Sequence, residues 1–221
     1  MRILIAGATG LVGQGVLQAC LEDPGVAAVV ALGRRPTECI DPKLSELVVA
    51  DFAELGAVED QLQPFDACLY CAGAPPLGTP EGEYRRVTLD LTLHVARTMA
   101  RLNPGMTFVY VSGAHSDPDS AFMPLRVKGE TESALAALPI RTIMLRTGGV
   151  RPVDGVHSPH AMMETLYTLA DPLMRLGVHL MPGQMTTTTR VGQAMLALLR
   201  QDDPPGIVEN DEINRIAAEA P

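Results

Sequence analysis

Positive charge is scarce in this chain. Its 221 residues carry 17 Lys and Arg against 26 Asp and Glu, a net charge of -9 with a pI near 5.0. A protein that grips phosphate backbones or anionic membrane surfaces without further specificity needs clustered cations. General nucleic-acid and membrane-surface binding are therefore excluded, and the few arginines must act locally. Long apolar runs are missing too: none reaches the roughly 20 residues that cross a bilayer. Met1 leads directly into a strand-like run, which leaves no space for a secretory signal and predicts a cytoplasmic protein. Cysteine is limited to four positions, Cys20, Cys39, Cys68 and Cys71. Cys68 and Cys71 form a CxxC, but no second Cys or His pair accompanies it, and within an apolar strand residues three apart point to opposite faces. The expected role is that of small buried hydrophobes, with no metal. No internal repeat or low-complexity linker interrupts the chain, and 47% hydrophobic residues supply one substantial core.

What is present begins at the N-terminus. Arg2 to Ala6 is an apolar run of strand type, followed by Gly7, Gly10 and Gly13 and then by Leu11, Val12, Val16, Leu17, Cys20 and Leu21 at helical period. A strand, a glycine turn and a helix in that order suit a pyrophosphate, because free N–H groups and the positive end of the helix dipole meet its charge. Gly7 permits the tight turn, Gly10 lets the backbone approach the phosphates, and Gly13 lets helix and strand pack. The spacing GxxGxxG is a variant of the dinucleotide fingerprint. Candidate cofactor contacts are Gly7, Thr9, Gly10, Leu11, Val12 and Gly13.

Further along, Val26 to Gly33 reads as a second buried strand and ends in Arg34, Arg35 and Pro36. At this place in dinucleotide folds an acid binds the ribose 2′-hydroxyl and an arginine accommodates a 2′-phosphate. Two arginines and no acid predict NADP over NAD; a solvated loop pair is the alternative. Leu47 to Ala50 is a third strand ending in Asp51 and Phe52, which either flank the adenine or, for Asp51, cap a helix. After a helix over Glu54 to Leu62, Asp66 to Ala72 is a fourth strand, where Cys71, Ala72 and Gly73 are small enough to lie against the nicotinamide side. Glu81 to Leu102 is the longest helical segment, with Val87, Leu91, Val95, Thr98 and Leu102 on one face. It either crosses the sheet or pairs with its copy in a homodimer. Met106 to Val111 is a fifth strand ending at Ser112, Leu125 to Leu138 a helix carrying Lys128, and Ile140 to Leu145 a sixth strand. The alternation predicts a doubly wound α/β fold, a Rossmann-type parallel sheet with ligands outside the C-terminal strand ends.

GATGLVG at 7–13, GRR at 33–35, ADF at 50–52, CAG at 71–73, VSG at 111–113, VKGETE at 127–132 and RTGGVRP at 146–152 together resemble the short-chain dehydrogenase/reductase superfamily. The likeness is to its atypical and extended members, the NmrA-like and Tat-interacting-protein-like oxidoreductases. It covers residue 1 to about 200. The resemblance implies that Ser112 orients a substrate carbonyl and that Lys128 holds the nicotinamide ribose and assists an acid–base tyrosine four residues before it. That position is Pro124. General acid–base help is worth roughly 10²- to 10⁴-fold, about 3 to 5 kcal/mol of barrier. Candidate replacements are His115, Tyr84, Tyr167 and His157; Tyr110, inside strand five, reads as wall.

Residues 1–146 are expected to form the NADP-binding core, and residues 147–221 a C-terminal helical lid or substrate region integrated with it. There Ala161 to Leu176 reads as a helix whose Met162, Met163, Leu166 and Leu169 line an apolar pocket or form core. Met185 to Thr189 reads as an N-cap-rich entry to a helix over Val191 to Leu199, and Asn210 to Ala218 as a terminal helix. The expectation is an NADP-dependent oxidoreductase, or epimerase-like enzyme, acting on a small, partly apolar carbonyl. The alternative, favoured by Pro124, is a non-catalytic NADP(H) sensor. About 70 residues after strand six leave little room for a nucleotide-sugar domain.

Overall fold

A computed structural model of the chain describes residues 1–153, 174, 176–178, 180–181 and 183–220. Six parallel strands are joined by helical segments everywhere except between β2 and β3: β1 (Arg2–Ala6), β2 (Ala28–Gly33), β3 (Leu44–Val48), β4 (Ala67–Tyr70), β5 (Thr107–Gly113) and β6 (Arg141–Thr147). Helix α1 (Leu11–Glu22) follows β1, a 3₁₀ segment (Leu55–Gln61) precedes β4, and α2 (Glu81–Arg85) and α3 (Leu91–Leu102) precede β5. Helix α4 (Met123–Ala136) joins β5 to β6. A two-stranded parallel ribbon, β7 (Gly149–Arg151) with β8 (Met185–Thr187), leads into α5 (Thr188–Leu199), β9 (Ile207–Glu209) and α6 (Asn210–Glu219). The main sheet runs β3-β2-β1-β4-β5-β6-β9 with every pair parallel. This is the doubly wound Rossmann architecture, and its order reverses between β1 and β4, where such sheets bind ligands.

Alternation within the strands divides the core into two layers. Leu4, Cys68, Tyr70, Phe108 and Tyr110 face α3 and α4, while Ile3, Ile5, Leu69, Val109 and Ile143 face α1, α5 and α6. Burial of both faces is why these strands read as unbroken apolar runs. Cys68 and Cys71 fall on opposite layers, as their spacing requires. On the second layer α1 and α5 touch almost backbone to backbone. A Cβ on Gly15 would lie 2.5 Å from Thr188 Cβ, and one on Gly192 would lie 2.6 Å from Ala19 Cβ.

Several boundaries differ from the sequence reading. The third strand starts earlier, at Leu44, because it is the sheet edge and buries only Leu47 fully, which blurs its pattern. The seventh strand, β9, escaped the sequence reading: three residues carry no periodicity. Residues 55–61 form a 3₁₀ helix rather than an α-helix. The long segment 81–102 is interrupted by a π-turn at Arg86–Asp90. The wider turn rotates the remainder of the helix, so Thr88, Thr92, Val95, Ala96 and Met99 are buried while Val87 and Leu91 line a cleft, Leu91 also packing on the edge of the core. The helix expected over Ala161 to Leu176, with its four named apolar residues, lies almost wholly outside the described residues.

Candidate functional site

The C-terminal ends of β2, β1 and β4 are laced together by backbone bonds, Gly7 N–H to Leu32 O at 3.0 Å and Cys71 N–H to Ala6 O at 2.8 Å. Above them opens a cleft of about 520 Å³. Its floor is the glycine turn. Gly7 has φ +83, and a Cβ there would stand 2.7 Å from the backbone of Ala72. A Cβ on Gly13 would stand 2.1 Å from Gly7 O. Only hydrogen fits at either position. Gly10 is the N-cap of α1, with no side chain to bond the free N–H groups and no acid in the first turn, so the donors of Leu11, Val12 and Gly13 remain available to an anion. Gly7, Thr9 and Gly10 line the cleft; Leu11, Val12 and Gly13 form the helix start behind it.

At one end of the cleft stand Arg34 and Arg35, both exposed and, among the described residues, without an ion-pair partner. The Asp51 carboxylate accepts the Ala53 N–H at 2.9 Å and a charged bond from Arg86. The Ala53 N–H first, and then Arg86, hold this carboxyl below its usual range, with Arg34 adding to the effect. Asp51 thus closes its own turn but does not cap the following 3₁₀ helix, whose N-cap is Glu54, and it lines the cleft with its charge paired to Arg86. Phe52 is buried and meets Tyr70 edge-on at 6.3 Å. Cys71, Ala72 and Gly73 form the wall at the β4 exit, and burial pushes the Cys71 thiol well above its usual range, as it does for Cys20, pushed up to about 12. The sequence reading missed Arg86, Val87, Leu91 and Tyr70 as lining residues. The first three reach the cleft through the π-turn, which left no mark on the helical period.

One strand further, Ser112, Lys128 and His115 gather at the end of β5 but outside that cleft lining. Ser112 is 2% exposed. Ser116 donates to Gly113 O at 2.7 Å, so at the 3.1 Å contact between the two hydroxyls Ser112 is the donor. His115 is exposed, at φ +62, a left-handed conformation uncommon outside glycine. Lys128 Nζ donates to Val111 O at 3.2 Å and lies 5.4 Å from the centre of the Tyr110 ring. Its stem passes within 3.2 Å of where a Gly113 Cβ would be. Burial pulls its pKa down to about 8, against the opposing pull of Glu132. Pro124 is buried in the first turn of α4, a place where its missing N–H costs nothing. Tyr84 is fully buried, and Tyr110 is buried as wall. Tyr167 and His157 lie outside the described residues.

A helix terminus with free donors, a glycine floor that admits no Cβ, an open slot and three guanidinium groups at one end fit a dinucleotide. The chain matches the model of the NAD dependent epimerase/dehydratase family over residues 3–137. Leucinostatins biosynthesis cluster protein T of Purpureocillium lilacinum is 28% identical over 166 residues, 72% of this chain and 61% of its own. Protein fmp52, mitochondrial, of Aspergillus fumigatus is 28% identical over 153 residues, 66% of this chain and 65% of its own. The chain therefore spans less than two thirds of these relatives' length. Among solved structures, MoeE5 in complex with UDP-glucose and NAD superposes with a TM-score of 0.66 at 20% identity, over 99% of this chain and 81% of that one; this is a likeness of fold. The cytoplasmic expectation is overturned: relatives bearing the fmp52 name in Aspergillus fumigatus, Kluyveromyces lactis and Saccharomyces cerevisiae are named as mitochondrial. An N-terminal strand directly after Met1 is silent about organelle. Residues 3–137 hold β1 to β5 and both walls of the cleft, and on that stretch the chain belongs to the NAD dependent epimerase/dehydratase family, within the short-chain dehydrogenase/reductase superfamily.

Proposed function

We propose that this protein is an NADP-dependent oxidoreductase acting on a small, partly apolar carbonyl compound. The observation that carries the cofactor preference is the state of the charges at the adenosine end. Arg34 and Arg35 have no ion-pair partner among the described residues, and the nearby carboxylate, Asp51, is already engaged by Arg86. A 2′-phosphate meets free guanidinium groups there, whereas a ribose 2′-hydroxyl finds no free acid among the described lining residues. In this reading Gly7, Thr9, Gly10 and the first N–H groups of α1 hold the pyrophosphate. Phe52 and the Asp51 turn border the adenine, and Cys71, Ala72 and Gly73 border the nicotinamide. When bound, the cofactor supplies or accepts a hydride. Ser112 and Lys128 hold the reacting end, with His115 beside them on the β5 loop, and residues 147–221 complete the substrate side of one integrated domain with residues 1–146.

Fluorescence titration with NADPH and NADH tests the cofactor, and equal affinity for the two removes the arginine argument. The double variant Arg34→Ala, Arg35→Ala is expected to lose about 1 to 3 kcal/mol of NADPH binding and little for NADH. A second reading, a non-catalytic NADP(H) sensor, is supported by Pro124, which brings no proton to the place where the resembled enzymes keep their tyrosine. NADPH oxidation across aldehydes and quinones separates the two, and turnover unchanged in Ser112→Ala removes that residue from the mechanism.

A further inference from the structure

Carbonyl reduction at the end of β5, the reading on which this inference rests, needs a proton for the oxygen as the hydride reaches the carbon. The side chains gathered there narrow the choice. Pro124 has none to give. The Ser112 hydroxyl is committed to Ser116, and Tyr84 and Tyr110 are buried under the strand end. His115 is exposed and, among the described residues, nothing fixes its ring. Lys128 differs from all of these. Its stem packs on Gly113, its ammonium faces the Tyr110 ring, and of three N–H donors one is used, on Val111 O. No carboxylate forms an ion pair with it among the described residues. Glu132, one turn on along α4, is instead gripped by Arg146 from β6, with bonds of 2.7 and 3.1 Å.

We infer that Lys128 Nζ is itself the proton donor to the substrate oxygen, taking the role that a tyrosine has where position 124 is not proline. The carbonyl carbon receives the hydride of the reduced nicotinamide, the C=O π bond opens, and the oxygen takes a proton from the Lys128 ammonium. The products are an alcohol, the oxidised nicotinamide and a neutral amine, which regains its proton from water. The groups facing Lys128 are Glu132 on α4 with Arg146 neutralising it, Tyr110 on β5, and Tyr84 of α2 behind Tyr110. Burial dominates that set and brings the ammonium to about 8, in the range where an acid works best near neutral pH.

Because the chain has only two lysines, Lys43 and Lys128, the test is unusually clean. The native protein is acetylated over a pH series and each lysine is followed by mass spectrometry, with and without NADP⁺. Lys128 is expected to reach its half-maximal rate near pH 8 and to be protected by NADP⁺, with Lys43 as the internal reference. A rate still climbing at the usual lysine value of 10.5, or no protection at NADP⁺ concentrations that displace fluorescent NADPH, overturns the inference. In steady-state reduction kcat is expected to fall above pH 8, and in Lys128→Arg, which stays protonated, that fall disappears. Lys128→Met should lose roughly 10²- to 10⁴-fold in kcat, with circular dichroism and NADPH affinity verifying the fold. An unchanged pH profile in Lys128→Arg rejects the lysine and leaves the oxidoreductase reading standing. Failure to bind NADPH, or to reduce any carbonyl, removes that reading and this inference together.

Discussion

Arg86 shows how much a single side chain decides in this cleft. It comes from the π-turn, where a helix would have pointed it elsewhere, and it fastens Asp51 at the adenosine end. Without it Asp51 faces Arg34 directly and competes for the cation that a 2′-phosphate needs. Arg86→Ala is therefore expected to weaken NADPH by about 1 kcal/mol, roughly fivefold, and NADH by less. Paired isothermal titrations check this, and an equal loss for both cofactors rejects it. Arg34, Arg35, Asp51 and Phe52 were legible from their places after the second and third strands. Arg86, Val87 and Leu91 were not, because a π-turn alters which face each residue occupies without altering composition.

Among the elements, the tightest contact is α1 against α5, and it is made by glycine. Gly15 carries the Thr188 backbone, and Gly192 sits on Ala19 and the Gly15 carbonyl. In a free helix alanine would be preferred to glycine by about 1 kcal/mol. Here the added methyl has nowhere to go, since the obstruction at Gly15 includes backbone atoms. Gly15→Ala is expected to lower stability by about 1 to 3 kcal/mol in chemical denaturation, and to weaken NADPH in the folded fraction as well, because Gly15 lies one turn from the α1 N-terminus that borders the cleft. A stabilised variant would show that α5 shifts freely. Local pattern announced both helices; their crossing distance depends on residues 177 positions apart in the chain, from Gly15 to Gly192. The same holds at the N-cap of α5, where the threonine run that reads as a cap does supply one, Thr187 accepting from Arg190 N–H at 3.2 Å. Its first residues also pair as β8, which no local signal marks.

Across the whole molecule, Arg146 ties three elements together: Glu132 of α4, β6 itself and Glu209 of β9. Glu132 is 5% exposed, and its three bonds from Arg146, the first cause, raise the pKa of the guanidinium further. Glu132→Ala is expected to cost about 3 kcal/mol, the low end for breaking a buried pair because Arg146 retains Glu209. Replacing both partners by apolar residues, Glu132→Met with Arg146→Leu, should recover most of that in thermal unfolding; no recovery would mean the pair contributes more than its own burial penalty. The order of the first six strands with their helices and the glycine turn could be read from Met1–Gln14 and the runs after it, because buried parallel strands and a dinucleotide turn constrain neighbouring residues. So could Ser112 at the end of β5 and Lys128 on the helix that follows it. What the sequence left open was spatial: that Ser112 gives its hydroxyl to Ser116, that Glu132 pairs with Arg146 and so leaves Lys128 without an ion-pair carboxylate among the described residues, and that Arg86 reaches Asp51. Those pairings join residues up to 35 positions apart, so only packing could decide them.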